Sequence, residues 1–173
     1  MSRPKSGRSA AARGPRTPTL YTLQVVLTGG PATEEFIRRN PVVSRTIEIR
    51  GDQTLEHLHE AIYDAFDRDD EHLYEFQIGG KRPHDRHATS YGGSPLYTGL
   101  GDEEDGRISA AKTRIASLAL KLRNRFHYWF DFGDDWWHQV IVVAIADGVP
   151  KGKFPRVTER VGESPPQYPE YED

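Results

Sequence analysis

The chain has 173 residues, no cysteine, a net charge of −3 and 36% apolar residues, which fits one folded domain and excludes disulfides and thiolate metal sites. No apolar run approaches bilayer-spanning length and no hydrophobic stretch follows the basic N-terminus, so no membrane contact or secretory signal is expected, and the setting is read as cytoplasmic. Residues 1–18 hold five cations and no acid, so the remaining residues carry −8, a balance that argues against a nucleic-acid-binding surface on the fold itself.

The N-terminal stretch 1–18 is rich in Ser, Ala, Gly, Pro and Arg and reads as a disordered basic tail. The folded part is expected over 19–148. It opens at Leu20 with a strand in which Tyr21, Leu23, Val25 and Leu27 alternate with Thr22, Gln24, Val26 and Thr28. Residues 31–41 connect it, through a helical turn at Glu34–Arg38, to a second strand over Val42–Arg50. The apolar period then changes from 2 to 3.6. Leu55, Leu58, Ile62, Ala65 and Phe66 fall on one helical stripe, with Asp52 or Thr54 as cap and His59 at the stripe's edge. A turn leads into a third strand whose core contacts are expected to be Leu73, Phe76 and Ile78. Residues 81–107, dominated by Gly, Ser, Pro, His and Asp, read as an inserted loop. Its acid run Asp102–Asp105 lacks the alternating ligand spacing of a calcium loop. A short helix is predicted from about Ser109 or Thr113 to Leu120, with Ile115 and Leu118 inward. After Ala146 five prolines argue against regular structure, and 149–173 reads as a Pro-rich, acidic extension whose end, from about Gly162, is dispensable for folding.

The chain is organised around Phe126–Ile145, which contains all three tryptophans. Phe126, Tyr128, Phe130 and Phe132 alternate on one side of Gly133, and Trp137, Ile141, Val143 and Ile145 alternate on the other. That is the pattern of an aromatic β-hairpin. The turn is Gly133-Asp134 or, more loosely, Asp131–Asp135. A two-residue loop would set Phe130 opposite Trp137 and Trp129 opposite His138. Asp131, Trp136 and His138 would then share the face away from the apolar ladder. A histidine among aromatics needs a polar partner, and a carboxylate from Asp131, Asp134 or Asp70 is the expected one.

The segments YTLQVVL, TLEHLHEAI, DEHLYEFQIGGK and HYWFDFGDDWWHQVIV together resemble the plasmid pRiA4b ORF-3-like family. The family's hairpin and the strand before it map onto Asp70, His72, Phe76, Tyr128, Phe130, Asp131, Phe132, Gly133, Asp134, Trp136 and His138. The resemblance implies an α+β fold, a β-grasp-like mixed sheet packed on one main helix with the aromatic hairpin near its C-terminal end. It implies no activity, its members being open reading frames, many on plasmids and mobile elements. Cysteines that many members carry after the hairpin are absent here, so no thiolate site is available.

Three function classes follow. The first is a non-enzymatic binding or adaptor module for a protein or small-molecule ligand, because no nucleophile–base–orienter set is visible. The second is a His/carboxylate hydrolase, metal-dependent or not, in which His72, His138, Asp131 and Asp134 of the candidate binding or structural site (Asp70, His72, Asp131, Asp134, Trp136 and His138) would converge. No two of these have the spacing of a helical ligand pair, so no metal or cofactor is assigned. The third is a weak, salt-sensitive nucleic-acid contact through residues 1–18. For the hairpin, the simpler role of these groups is structural: aromatics in a core, aspartates ordering a turn.

Overall fold

The computed structural model describes residues 18–93 and 106–170. The basic tail, but for its last residue, and the acid run Asp102–Asp105 lie outside the described residues. The elements, in chain order, are β1 (Thr19–Gly29), α1 (Glu34–Arg39), β2 (Ser44–Arg50), α2 (Leu55–Ala65), β3 (Tyr74–Ile78), β4 (Thr89–Gly93) and β5 (Ile108–Ser109). A 3-10 helix (Ile115–Leu118) follows, then β6 (Arg125–Phe130), β7 (Trp136–Asp147) and β8 (Arg156–Val161). The result is a mixed α+β fold. One eight-stranded sheet runs in the order β5-β4-β3-β6-β7-β1-β2-β8, antiparallel at every pairing except β4–β5.

Helix α2 forms where the 3.6-residue stripe predicts it. Thr54 Oγ1 accepts from the His57 backbone N–H and the Thr54 N–H donates to His57 Nδ1, so both capping partners are reciprocally satisfied. Its buried stripe, Leu55, Leu58, His59, Ile62 and Ala65, joins one core with Leu23 and Val25 of β1, Ile47 and Ile49 of β2, and Tyr74 and Phe76 of β3. The hairpin completes that core with Phe126, Tyr128 and Phe130 from β6 and Trp136, Val140 and Val142 from β7.

Four sequence expectations change. On β3, Tyr74 is buried and Leu73 is exposed, because the strand begins one residue later and Tyr74 shares a face with Phe76. Residues 81–107 contain β4, which pairs with the whole of β3; its Tyr-Gly-Gly end hides the strand signal. The prolines after Ala146 flank a strand instead of excluding one. β8 pairs with β2 through Ile47↔Val157 and neighbouring residues. The main change lies in the hairpin. Its loop is the looser alternative, Asp131–Asp135, and not the two-residue Gly133-Asp134 turn, so Phe130 pairs with Trp136, Trp129 with Trp137, and Tyr128 with His138. Relative to a two-residue loop this moves β7 by one residue and exchanges its faces. Trp136 and His138 lie in the core, and Trp137, Ile141, Val143 and Ile145 do not.

Candidate functional site: the two faces of the aromatic hairpin

Asp131 builds the turn. It adopts φ 59°, and its Oδ1 accepts from the backbone N–H groups of Gly133 (3.1 Å) and Asp134 (3.2 Å). Its own N–H donates to the Leu73 carbonyl, which ties the turn to the segment before β3. Oδ2 lies 3.4 Å from His72 Nε2, and the same nitrogen lies 2.8 Å from the Tyr168 hydroxyl. Asp70, exposed, is held through its backbone. The Gln167 side chain accepts from the N–H groups of Asp69 and Asp70 and donates to the Asp70 carbonyl. Asp70, His72, Asp131 and Asp134 therefore gather at the turn end of the hairpin, bridged by Gln167 and Tyr168.

Trp136 and His138 do not join them. His138 is 1% exposed, sits edge-on to Phe66, and approaches the Tyr128 carbonyl through Nδ1 at 3.3 Å. The expected carboxylate partner is replaced by a backbone carbonyl, because the exchanged faces carry the imidazole into the core. Burial, and secondarily the Arg68 cation, push its pKa down to about 3, so it is neutral. Trp136 is fully buried. Arg68 stacks over its ring at 3.9 Å, and Gly30 lies against its six-membered ring so closely that a Cβ would fall 2.2 Å from Cε3. The Arg68 terminal nitrogens, Trp136 Nε1 and His138 Nε2 have no hydrogen-bond partner among the described residues. Arg68 is held down to about 10 by burial, against the opposing pull of Tyr128 and Asp131.

Sequence reading missed this cation, since Arg68 in an Asp-rich run looks like a solvated charge. It also missed the pin between α2 and the hairpin. His59 Nδ1 lies 2.6 Å from the Tyr128 hydroxyl, its Nε2 lies 3.2 Å from Glu71, and its ring stacks on Tyr74 at 3.7 Å. Burial first, then neighbouring Tyr74 and Glu71, raise Tyr128 well above the ordinary phenol value, so its hydroxyl stays protonated. The only available signal was the position of His59 beside the apolar stripe.

The opposite face is differently made. Phe132 stacks on Trp129 (centroids 4.0 Å apart), and Trp129 stacks on Trp137 (5.1 Å, 5° between planes). All three rings are half-buried. His84, from the loop after β3, meets both tryptophans edge-on. The Trp129 indole N–H donates to Asp135, and Arg107 lies over Phe132 while bonding Glu75.

An α+β protein with an eight-stranded mixed sheet and an Asp-turned aromatic hairpin at its centre is the class that these features define. The chain belongs to the family described as plasmid pRiA4b ORF-3-like protein, which residues 35–168 match. It is 28% identical over 130 residues to the uncharacterized protein y4hQ of Sinorhizobium fredii, covering 73% of this chain and 59% of that one. The crystal structure of a protein of unknown function, MM3350 from Methanosarcina mazei Go1, shares the fold with a TM-score of 0.62 at 24% identity, over 83% of this chain and 70% of that one. Among the described residues no helix is long and apolar enough to cross a membrane.

Proposed function

We propose that the chain is a non-enzymatic binding module, cytoplasmic in setting, whose partner docks on the outer face of the β6–β7 hairpin. One observation carries this reading. Three stacked rings, Phe132, Trp129 and Trp137, stay half-exposed on the face of the sheet turned away from the core. Stacked aromatics rigidly held on a strand pair offer a large contact area with little rotamer entropy left to lose. The inner signature residues support the same reading, because Trp136 and His138 are committed to packing and Asp131 to its turn. The β-grasp likeness draws support from the succession of strands around α2, and the proposal does not depend on it.

The His72–Asp131 pair favours a second reading, a His/carboxylate hydrolase, because His72 is partly accessible. It ranks second because Asp131 and Tyr168 share His72 Nε2, which leaves Nδ1 to meet a substrate, and among the described residues no nucleophilic side chain bonds that nitrogen. A thermal-shift screen of nucleotides, peptides and small acids on wild type and on Trp137→Ala tests both readings. Compounds that stabilise wild type and not the variant support the docking face. Turnover of an ester or phosphate substrate that survives Trp137→Ala and disappears in His72→Ala would replace it with the hydrolase.

A further inference from the structure

We infer that the docking face takes single-stranded nucleic acid, with a base on the free face of Trp137 and phosphates on the basic side chains around it; this rests on the reading of the outer face as a binding surface. The first support is ring geometry. Trp129 stacks with two rings, Phe132 and Trp137, whereas among the described residues Trp137 stacks with Trp129 alone and meets His84 at a right angle. On the neighbouring strand Trp137 pairs with Gly29, which has no side chain to lay over the indole. One more flat ring would extend the stack. Base–aromatic stacking asks only for a π-face, which every base has.

The second support is the local charge. Lys81, Arg82 and Arg86 are exposed on the same loop that sets His84 against the tryptophans, and Arg125 lies on the outer face of β6, bonded to Gln139. Of the acids nearby, Glu75 is paired with Arg107, while Asp85 accepts from the backbone N–H groups of Lys81 and His87 and Asp135 from the Trp129 indole; the four cations outnumber the charged Asp85, Asp134 and Asp135. The net acidity of the folded part does not extend evenly to this face. Much of it sits on α2 and the loop after it, at Glu56, Glu60, Asp64, Asp67, Asp69, Asp70 and Glu71. The cations are placed to neutralise phosphates while the rings receive bases. A duplex buries its base faces in its own stack and so offers the rings nothing. The geometry therefore selects single strands, at an interface on the sheet and not on residues 1–18.

The test uses the full-length chain with Arg3, Lys5, Arg8, Arg13 and Arg16 changed to alanine, so that the tail cannot supply the contact. Fluorescein-labelled oligo-U, oligo-dT and a duplex of equal length are titrated by anisotropy at several salt concentrations. Binding of both single strands in preference to duplex is expected. Trp137→Ala should weaken it at least about fivefold and Trp137→Phe should largely restore it. Arg82→Ala with Arg86→Ala should lower the slope of log affinity against log salt by about 1.4. Loss of all binding when the tail is neutralised, equal affinity for duplex, or indifference to Trp137→Ala in a folded variant each overturns the inference. Failure here alongside Trp137-dependent stabilisation by another compound, or Trp137-dependent dimerisation in light scattering, removes the nucleic acid and leaves the docking face standing. Indifference to Trp137→Ala in every assay removes both.

Discussion

His138 illustrates how one side chain can look like a site and serve as packing. Its Nδ1 faces the Tyr128 carbonyl, so the proton sits there and the ring is neutral. Its folded pKa of about 3 lies below the ordinary 6.5, so the unfolded chain binds the proton more readily. The stability this group contributes is complete above pH 6.5 and is lost as pH falls from 6.5 towards 3, at about 1.4 kcal/mol per unit. Urea unfolding at pH 7 and pH 5 should therefore show a loss about 2 kcal/mol smaller in His138→Phe than in wild type. Equal losses would mean that the imidazole is protonated in the fold. His138→Ala should cost about 2–4 kcal/mol through the cavity beside Phe66, and EDTA should not move the wild-type melting temperature. A large drop in chelator would make His138 a ligand after all. Arg68 poses the converse problem. It is a buried cation whose two terminal nitrogens have no hydrogen-bond partner among the described residues and whose guanidinium lies over the Trp136 ring. Arg68→Met keeps the volume and removes the desolvation penalty, so it should leave stability unchanged or raise it by about 1–2 kcal/mol in urea titration. A loss of several kcal/mol would show that the cation has a partner in solution.

Among the elements, α2 and β1 could be read because each follows one period and buries one face. Strands β4 and β8 were harder for identifiable reasons. β4 ends in Tyr91-Gly92-Gly93 and β8 is bracketed by Pro155 and Pro165, so turn residues masked short strands whose partners are distant in sequence. The aromatic hairpin was recognisable, but its faces depended on loop length. Asp131 at φ 59° and Asp135 at φ 57° both adopt the left-handed conformation, which closes the loop as Asp131–Asp135, and the pattern alone does not choose between that turn and Gly133-Asp134. The C-terminal stretch is hard to read for a related reason. Its contacts are made by polar side chains to backbone groups, which leave no apolar period. Gln167 is 5% exposed with three bonds to Asp69 and Asp70, and Ser164 bonds both Arg45 and Asp67. Removing residues 163–173 should therefore destabilise the protein by about 2–4 kcal/mol, since each part-buried bond contributes about 0.5–1.5 kcal/mol. Gln167→Ala alone should give a good part of that loss and raise hydrogen exchange at Asp69 and Asp70. Melting unchanged by the deletion would return the segment to the dispensable extension that its composition suggests.

At the scale of the whole molecule, an open eight-stranded sheet must manage two edges, each a row of unpaired backbone groups that invites a second chain. One edge is kept short: β5 contributes two residues. The other ends in β8, where Thr158, Glu159, Arg160 and Val161 are exposed and two of the four are charged. Behind β8 lies β2, whose Ile47 and Ile49 are fully buried. β8 is tied to it by more than the strand ladder. Arg45 on β2 donates to the carbonyls of Val161 and Gly162 and to the α2 carbonyl of Ala65, while Arg160 donates to that same Ala65 carbonyl. One oxygen at the C-terminal end of α2 thus receives cations from both strands, where the helix dipole favours positive charge. Deleting residues 155–173 would expose the β2 edge, remove Val157 from the core and leave Arg45 with fewer acceptors. Such a chain should self-associate, its mass in light scattering rising with concentration between micromolar and higher loading, whereas Val161→Lys in the intact chain should stay monodisperse. Restoring the segment as a separate peptide of residues 155–170 should suppress the association by re-pairing the edge. A deleted chain that stays monomeric at every concentration, with an unchanged melt, would mean that β2 tolerates being the edge and that β8 protects nothing.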